Sequence, residues 1–542
     1  KGNHLTEKTA FNLPDLATFE QKARTLAHAL QEFVTIERHV ELGAWKSTRN
    51  LAPERRVLMG ETLLVRYLES DQDAATAERN RDNLRRYNLG QKYRADYKAA
   101  NPNAKKVMLP AAQKAESEWS QEGMSFKLRL ETAGVWCPPE EILALSNLRE
   151  GDTVIIFPRW TSDERLPPEE RTPNTPTPKQ MLYGMRVTIE KITLEPGQAG
   201  QDATAFVEVT PQKSFSNAAA KGYVFGAMDK PLVADQFYTL DPDINNWYTY
   251  WNLQVTEGLA ELEDQPSTGS NTLYNRLAHP SNQPLPRTEA SLEGQARFLA
   301  GLQAFEEHGL LHGFEESKQA YIGGHLADPV ILVHGPPGTG KSYSTGFAVF
   351  ARLQAALSAN QDGRVVLACK THAATDVLLE NVLEVQQKLA WLRQQQPELF
   401  DRYFDLRLLD IPLYRIAGRK DERPGIINLT KDGDKAKGEP TNRQTLLSTP
   451  WCVAAATPGG IYGMREKKGS IFTQQFADCL VLDEASQMNL PEACLAALTL
   501  KVSGQLIVVG DHRQMPPIIK HDWEGEARRT FKEYKSYQSL FE

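Results

Sequence analysis

Cysteine is scarce in this chain and never paired at metal-binding spacing. The five cysteines among 542 residues (Cys137, Cys369, Cys452, Cys479 and Cys494) include no Cys-x-x-Cys, which argues against a zinc or iron–sulfur centre. Cys369, Cys452 and Cys479 lie in or beside apolar runs and read as buried thiols. That usage fits a reducing compartment, cytoplasm or nucleus. Long apolar runs are missing as well. None approaches the roughly 18 uncharged residues of a membrane span, so no membrane partner is expected. No basic start leads into an apolar core, so no secretory signal is legible. Positive charge is not in excess either. A formal net charge of −7 argues against a surface that coats nucleic acid everywhere, but leaves room for a local basic groove.

What is present changes character along the chain, whose length suits roughly three to four domains. Residues 1–125 are rich in Glu, Lys, Arg, Gln and Ala. Leu16, Phe19, Ala23, Leu26 and Leu30 recur at helical spacing. Val57, Leu58, Leu63, Leu64 and Tyr67 suggest a second helix, and the mixed-charge stretch Ala75–Ala100 a third with a solvated face. From 126 to 262 the grammar is that of short strands between turns: Phe126–Leu130, Thr153–Phe157, Met185–Ile189 and Ala205–Val209. These predict a small β-barrel or sandwich. The same segment holds Tyr223, Phe225, Phe237, Tyr238, Trp247, Tyr248, Tyr250 and Trp251, expected to be core rather than a base-stacking platform. Residues 263–292, rich in Ser, Pro and Asn, read as a linker. From 293 to 542, strands alternate with helices, predicting an α/β domain on a parallel sheet. Its strands are expected at Val330–Val333, Arg364–Ala368, Leu413–Ala417, Cys452–Ala456, Cys479–Leu482 and Gln505–Val509. The charged stretch 420–447 reads as a mobile insertion.

Four strand ends in this last region carry chemistry. Val330–Val333 runs into Gly335-Pro336-Pro337-Gly338-Thr339-Gly340-Lys341-Ser342, a G-x-x-x-x-G-K-[ST] loop in strand–loop–helix context. Its glycines let backbone N–H groups turn inward onto phosphate oxygens, and the following helix N-terminus adds its positive end. Lys341 is expected on the β- and γ-phosphates of ATP and Ser342 on Mg²⁺. The strand Cys479–Leu482 ends in Asp483-Glu484. Asp483 suits a Mg²⁺ ligand and Glu484 a base that orients and deprotonates water. The strand Leu506–Val509 leads to Gly510-Asp511-His512-Arg513-Gln514. The Gln514 amide there can sense a γ-phosphate at the sheet's carboxyl edge. Finally, Val365–Cys369 opens onto Lys370-Thr371-His372 and a helix, where hydroxyls, amides and the Lys370 charge could hold a nucleic-acid phosphate.

Taken together these motifs resemble the first motor domain of superfamily 1B helicases, in the branch of the nonsense-mediated-decay RNA helicase and the replication helicase–nuclease. Gly335–Ser342 is similar to its G-P-P-G-T-G-K-[ST] loop, Asp483–Gln487 to its D-E-A-[SAG]-Q box, and Gly510–Pro517 to its G-D-x-x-Q-[LM]-P-P motif. Motif Ia, usually Pro-Ser-Asn, is altered here to Lys370-Thr371-His372, and Val453–Pro458 is similar to motif Ic, with Thr457 the implied strand contact. The final Ser539–Glu542 resembles the segment just after the third motif. The resemblance covers residues 315–542. It implies a RecA-like fold, a barrel inserted beside the motor, Gln319 as the adenine-reading glutamine, and movement from 5′ to 3′ on single-stranded DNA or RNA. It also implies a second motor domain beyond this chain, whose arginines stabilise the transferring phosphate. No Asp…Glu-x-Lys nuclease constellation is read.

The resulting expectation is the N-terminal portion of an ATP-dependent helicase or translocase, weakly active by itself. A P-loop switch that does not unwind, or a binding module with an inert ATPase, stands as the alternative.

Overall fold

The computed structural model describes residues 25–49, 51–104, 106–121, 123–159, 185–197, 202–212, 231–243, 247–281, 283–336, 338–417, 423–429, 439–466, 469–526 and 530–542. Two compact units emerge, one holding His39–Trp247 and the other Asp15–Arg38 with Tyr248–Glu542.

In the first unit six antiparallel strands close into a barrel. They are β1 (Leu63–Arg66), β2 (Phe126–Leu130), β3 (Thr153–Pro158), β4 (Met185–Glu195), β5 (Thr204–Pro211) and β6 (Phe237–Pro242), in the order β1-β2-β5-β4-β3-β6. β2 shows why: Phe126, Leu128 and Leu130 point inward and are buried, while Lys127 and Arg129 alternate outward. β1 corrects the reading of 57–67 as one helix. Val57 and Leu58 do end a helix, Pro53–Leu58, but Gly60 then turns the chain at φ 74°. Leu63, Leu64 and Val65 follow as a strand and are all buried, so the alternation that marks a half-exposed strand is missing. The barrel therefore begins well before residue 126. The mixed-charge stretch is a helix, Ala74–Ala100, capped by the Asp73 carboxylate accepting from Thr76 N at 2.9 Å. It buries little more than Ala77, Asn80, Asn83 and Gly90.

An ion pair between Arg56, on the helix Pro53–Leu58, and Asp241, on β6, is buried in this unit, both side chains essentially inaccessible to solvent. Asp241 accepts a further hydrogen bond from the Thr239 hydroxyl at 2.7 Å. Removing one partner strands the other's charge in a dry interior. Asp241→Asn is expected to destabilise this unit by about 3 kcal/mol, read as a lower urea midpoint in barrel-specific fluorescence or hydrogen exchange.

The second unit is built on seven strands, all parallel, in the order β10-β9-β11-β8-β12-β13-β7. They are β7 (Val330–His334), β8 (Gly363–Ala368), β9 (Leu413–Ile416), β10 (Ile427–Leu429), β11 (Trp451–Ala456), β12 (Ala477–Leu482) and β13 (Leu500–Gly510). Helices cover both faces, and successive residues divide between two cores. Val365, Leu367, Val481, Ile507 and Val509 face Phe298, Leu302, Phe347, Phe350 and Val382. Val366, Ala368, Leu480, Leu482, Leu506 and Val508 face Leu259, Leu273, Tyr274, Cys494 and Leu495. This is why the strands read as unbroken apolar runs. Ala27 and Leu30, from the helix Leu26–Arg49, join the second face, whereas Leu16, Phe19 and Ala23 lie outside the described residues. With its P-loop and parallel order the sheet is RecA-like.

Three sequence expectations change here. Residues 263–292 are not simply a linker. They hold the helix Thr272–Ala278, whose Leu273 and Tyr274 are buried, and Asn271 is anchored by its Nδ2 donating to Cys494 O at 2.8 Å. The composition is loop-like, but contacts from far along the chain order it. The helix Trp247–Asp264 places Val255 and Leu259 in the same core, so these residues belong with the sheet rather than the barrel. The stretch 420–447 contributes β10, which pairs with β9, and the helix Asn442–Ser448, closed by a Thr441–Gln444 capping box. The aromatic cluster divides too: Tyr238 is barrel core, and Trp251 stacks near Tyr462 at 5.6 Å in the second unit. Tyr223 and Phe225, and the side chains of Trp247 and Tyr248, are outside the described residues. All five cysteines are free thiols, four of them buried, and no described helix is long and apolar enough to cross a membrane.

Candidate functional site

Chemistry gathers at the carboxyl ends of β12, β13 and β7, which lie side by side. The ladders run to the functional residues themselves. Gly335 N donates to Gly510 O at 3.3 Å beyond the His334–Gly510 pair, and Asp483 N donates to Ala368 O at 3.0 Å. The loop after β7, the carboxylates after β12 and the Gly-Asp turn after β13 are therefore neighbours along one edge.

The loop has the backbone that phosphate binding demands. Gly338 and Gly340 sit at φ 81° and 79°, where a side chain is strained. At Gly335 an added Cβ would lie 2.6 Å from Lys341 Cγ and 2.8 Å from Thr339 Oγ1, so any larger residue would fill the concavity. The Thr339 hydroxyl donates to Pro336 O at 2.8 Å and fixes the turn. Pro337 lies outside the described residues. Gly340 caps the helix Lys341–Ser358, whose first N–H groups have no acceptor within the helix and so offer a cradle for an anion. Gly338–Gly340 are exposed, and Lys341 and Ser342 are half-buried.

Across the cleft, burial pushes the Asp483 carboxyl up to about 6. The Glu484 N–H, donating to Asp483 Oδ1 at 2.8 Å, pulls it down, the Glu484 carboxylate pushes it up, and the Lys341 ammonium pulls it down. Lys341 and Asp483 thus feel each other's charge. Two adjacent carboxylates, one crowded above its ordinary range, suit a divalent cation held with the Ser342 hydroxyl. Glu484 adopts φ 54°, uncommon for a residue with a side chain. Such strain persists where surrounding structure holds it, often at working sites.

A prediction follows from the direction of the Asp483 shift. The folded, cation-free protein holds a proton there up to about pH 6, whereas the unfolded chain releases it near the ordinary value of 3.8. Stability therefore falls as pH rises through that window and stays lower above it. Asp483→Asn is expected to raise the stability of the nucleotide-free protein by about 3 kcal/mol at pH 7.5, and to leave it unchanged below about pH 4. Thermal melts at the two pH values check this.

The β13 turn is tied to the same cluster. Asp511, only 2% exposed, accepts from Arg513 N at 3.0 Å and lies 3.3 Å from His334 Nε2. The backbone hydrogen bond from Arg513, with those from the His334 and Gln514 side chains, holds its carboxyl below the usual range. Gln514 is thereby parked on Asp511, beside the strand that feeds the loop. Its N–H donates to Asp511 O at 3.0 Å.

The remaining expected residues are placed less openly. Lys370 is turned inward: its Nζ donates to Gln487 O at 2.9 Å and pairs with buried Glu492 at 3.2 Å. Its charge is met within the protein, which corrects the picture of a lysine offered to a nucleic-acid phosphate. Thr371 and His372 are exposed at the start of the helix His372–Gln395. Thr371 caps it, accepting from Ala374 N at 3.1 Å, and His372 Nδ1 lies 3.0 Å from Arg415 Nη2. Thr457 is 4% exposed and caps Pro458–Gly463, accepting from Gly460 N at 3.2 Å. Gln319 donates to Phe314 O at 2.6 Å and accepts from Gln303 Nε2 at 3.0 Å.

Two neighbours of the loop escaped sequence reading. Lys318 Nζ would stand 3.6 Å from a Cβ on Gly340, and Tyr343 stacks on Phe314 at 5.9 Å. Only the position of Tyr343 directly after Ser342 could have flagged it; Lys318 reaches the loop through the fold.

A family model described as an AAA domain matches residues 318–520. The chain is 28% identical over 205 residues to the regulator of nonsense transcripts 1 homolog of Arabidopsis thaliana, covering 36% of this chain and 15% of that protein. It is 25% identical to the ATP-dependent helicase NAM7 of Saccharomyces cerevisiae, covering 40% and 21% respectively. It is 27% identical to the DNA replication ATP-dependent helicase/nuclease DNA2 of the same yeast, covering 36% and 10%. The chain thus spans a fifth or less of the length of most of the curated relatives it matches first. The adjacent loop, paired carboxylates and Gly-Asp-x-x-Gln turn, with this match, make residues 318–520 similar to the motor domains of superfamily 1 helicases.

Proposed function

We propose that this chain supplies the ATP-binding face of a motor that moves on single-stranded nucleic acid. The observation that carries the reading is the gathering of Lys341, Asp483–Glu484 and Gln514 on three neighbouring strand ends of one parallel sheet. The Gly338–Lys341 backbone amides bind the phosphates, and the Lys341 ammonium offsets charge on the β- and γ-phosphates. The Ser342 hydroxyl and the Asp483 carboxylate hold Mg²⁺, which when bound neutralises charge on the phosphate oxygens. Glu484 orients water and takes its proton. Gln514, released from Asp511, hydrogen-bonds the γ-phosphate and reports its loss. Gln319, with Tyr343 and Phe314 beside it, lies on the side where a base would be read.

Nucleic acid is met at Thr371 and His372, where an exposed helix N-terminus offers backbone donors. Thr457 acts through its cap, positioning the adjoining loop. Lys370 braces the carboxylate loop through Gln487 and Glu492. The barrel is an accessory to this motor. A second motor domain of the same protein, supplying arginines, completes the cleft.

The test is ATP turnover by the complete protein with and without single-stranded DNA or RNA. Stimulation of at least tenfold by one of them is expected. Turnover indifferent to both would instead favour a P-loop switch that does not move along a strand.

A further inference from the structure

The opposite edge of the parallel sheet holds a second feature that the ATP cleft does not use. A cavity of about 640 Å³ opens among the first residues of β8 and β12, the middle of β13, the helix Lys341–Ser358 and the segment leading into the helix Glu289–Glu307. Two arginines line it. Arg352, only 5% exposed, donates from Nε to Gln505 Oε1 at 2.6 Å and from Nη1 to Ala348 O at 2.9 Å and Ile322 O at 3.2 Å. Among the described residues its Nη2 has no hydrogen-bond partner. Arg287, half-buried, donates from Nε to Leu326 O at 3.0 Å. Every one of these acceptors is neutral.

The carboxylates at the cavity are already engaged. Asp478 accepts from Lys501 Nζ at 2.7 Å and from Arg364 N at 2.9 Å, and Asp362 pairs with Arg364 at 2.6 Å. Burial draws both arginines below their ordinary range; the Arg352 charge draws Arg287 down further, and the Asp478 carboxylate offsets this only in part. A desolvated guanidinium whose hydrogen bonds go to neutral acceptors is costly, and its planar fork matches an oxyanion.

We propose that this cavity binds a small phosphate-bearing ligand, its oxyanion held between Arg287 and Arg352. A phosphate dianion matches the two guanidinium charges, as a single carboxylate does not. The Thr288 and Ser503 hydroxyls line the same space and can donate to further phosphate oxygens. The volume lies within the range of small-molecule pockets, roughly 300–1,000 Å³. The site is separate from the P-loop. Arg352 is eleven residues along the helix from Lys341, or roughly 16 Å at 1.5 Å per residue.

Inorganic phosphate is the probe, titrated calorimetrically into the whole chain with Mg²⁺–ADP in excess to fill the P-loop. One phosphate per chain is expected. Arg287→Gln should weaken it at least tenfold, Arg287→Lys by less, and Arg297→Gln, an exposed arginine outside the cavity, not at all. Among the described residues Arg287 hydrogen-bonds Leu326 O alone, so Arg287→Gln is the deciding variant, its folding checked by an unchanged melt without phosphate. Absence of phosphate binding under these conditions, or equal affinity in wild type and Arg287→Gln, overturns the proposal. Because the cavity that Arg287 lines includes no residue of the P-loop, the comparison of variants holds whether or not ADP binds there.

Discussion

Glu484→Gln is expected to lower ATP turnover in the complete protein by about 10²–10⁴-fold, the usual contribution of a positioned general base. The amide keeps the volume and much of the hydrogen bonding of the carboxylate but cannot accept the proton of an attacking water. It leaves the loop, Lys341 and Asp483 in place. Nucleotide affinity should therefore hold within about twofold, since the hydrogen bonds to phosphate are the ones unchanged. The backbone argues for the same choice of variant. Glu484 sits at φ 54° with its N–H bonded to Asp483, so a substitution that alters backbone preference would confuse chemistry with strain. Steady-state turnover and equilibrium binding of a fluorescent ADP, measured together, separate the two effects. Turnover within tenfold of wild type would remove Glu484 as the base.

Lys341→Ala is expected to weaken nucleotide binding by roughly 10–150-fold, the span of a lost hydrogen bond to a charged group at about 1.5–3 kcal/mol. Turnover should fall by more, because the same charge acts on the transferring phosphate. A second signature belongs to this site alone. The Lys341 ammonium now holds the Asp483 carboxyl down against the effect of burial. Without it, Asp483 should gain its charge only at higher pH, so the pH dependence of Mg²⁺ binding should move upward. Unchanged nucleotide affinity, or a pH profile that stays put, would count against the assigned role.

The reach of sequence reading can be judged residue by residue. The six expected strands of the sheet all formed, because each reads as an apolar run between turn signals; five are buried on both faces, and β7, at the sheet edge, keeps the apolar run although Val330 and Leu332 are exposed. β10 was missed because three residues at a sheet edge, with Ile427 exposed, leave little pattern. β1 was misread because burial on both faces removed its alternation. Lys370 looked like an open cation because its partner Glu492 lies far along the chain. The threonines at 371 and 457 announced polar loop starts, but their capping bonds could be counted only once the helices were in place.

By itself the sequence determined the phosphate loop and the strand that precedes it. Left-handed glycines and a capped helix start are properties of consecutive residues, and no distant contact is needed to impose them. Tertiary structure alone decided that Asp483 would be crowded upward beside Lys341, that Lys370 would be spent inward, that residues 271–274 would be buried, and that the barrel would close through Leu63–Arg66. Each of these depends on burial and charge supplied by chain segments remote in sequence, and the free energy of a desolvated group is set by what surrounds it in space.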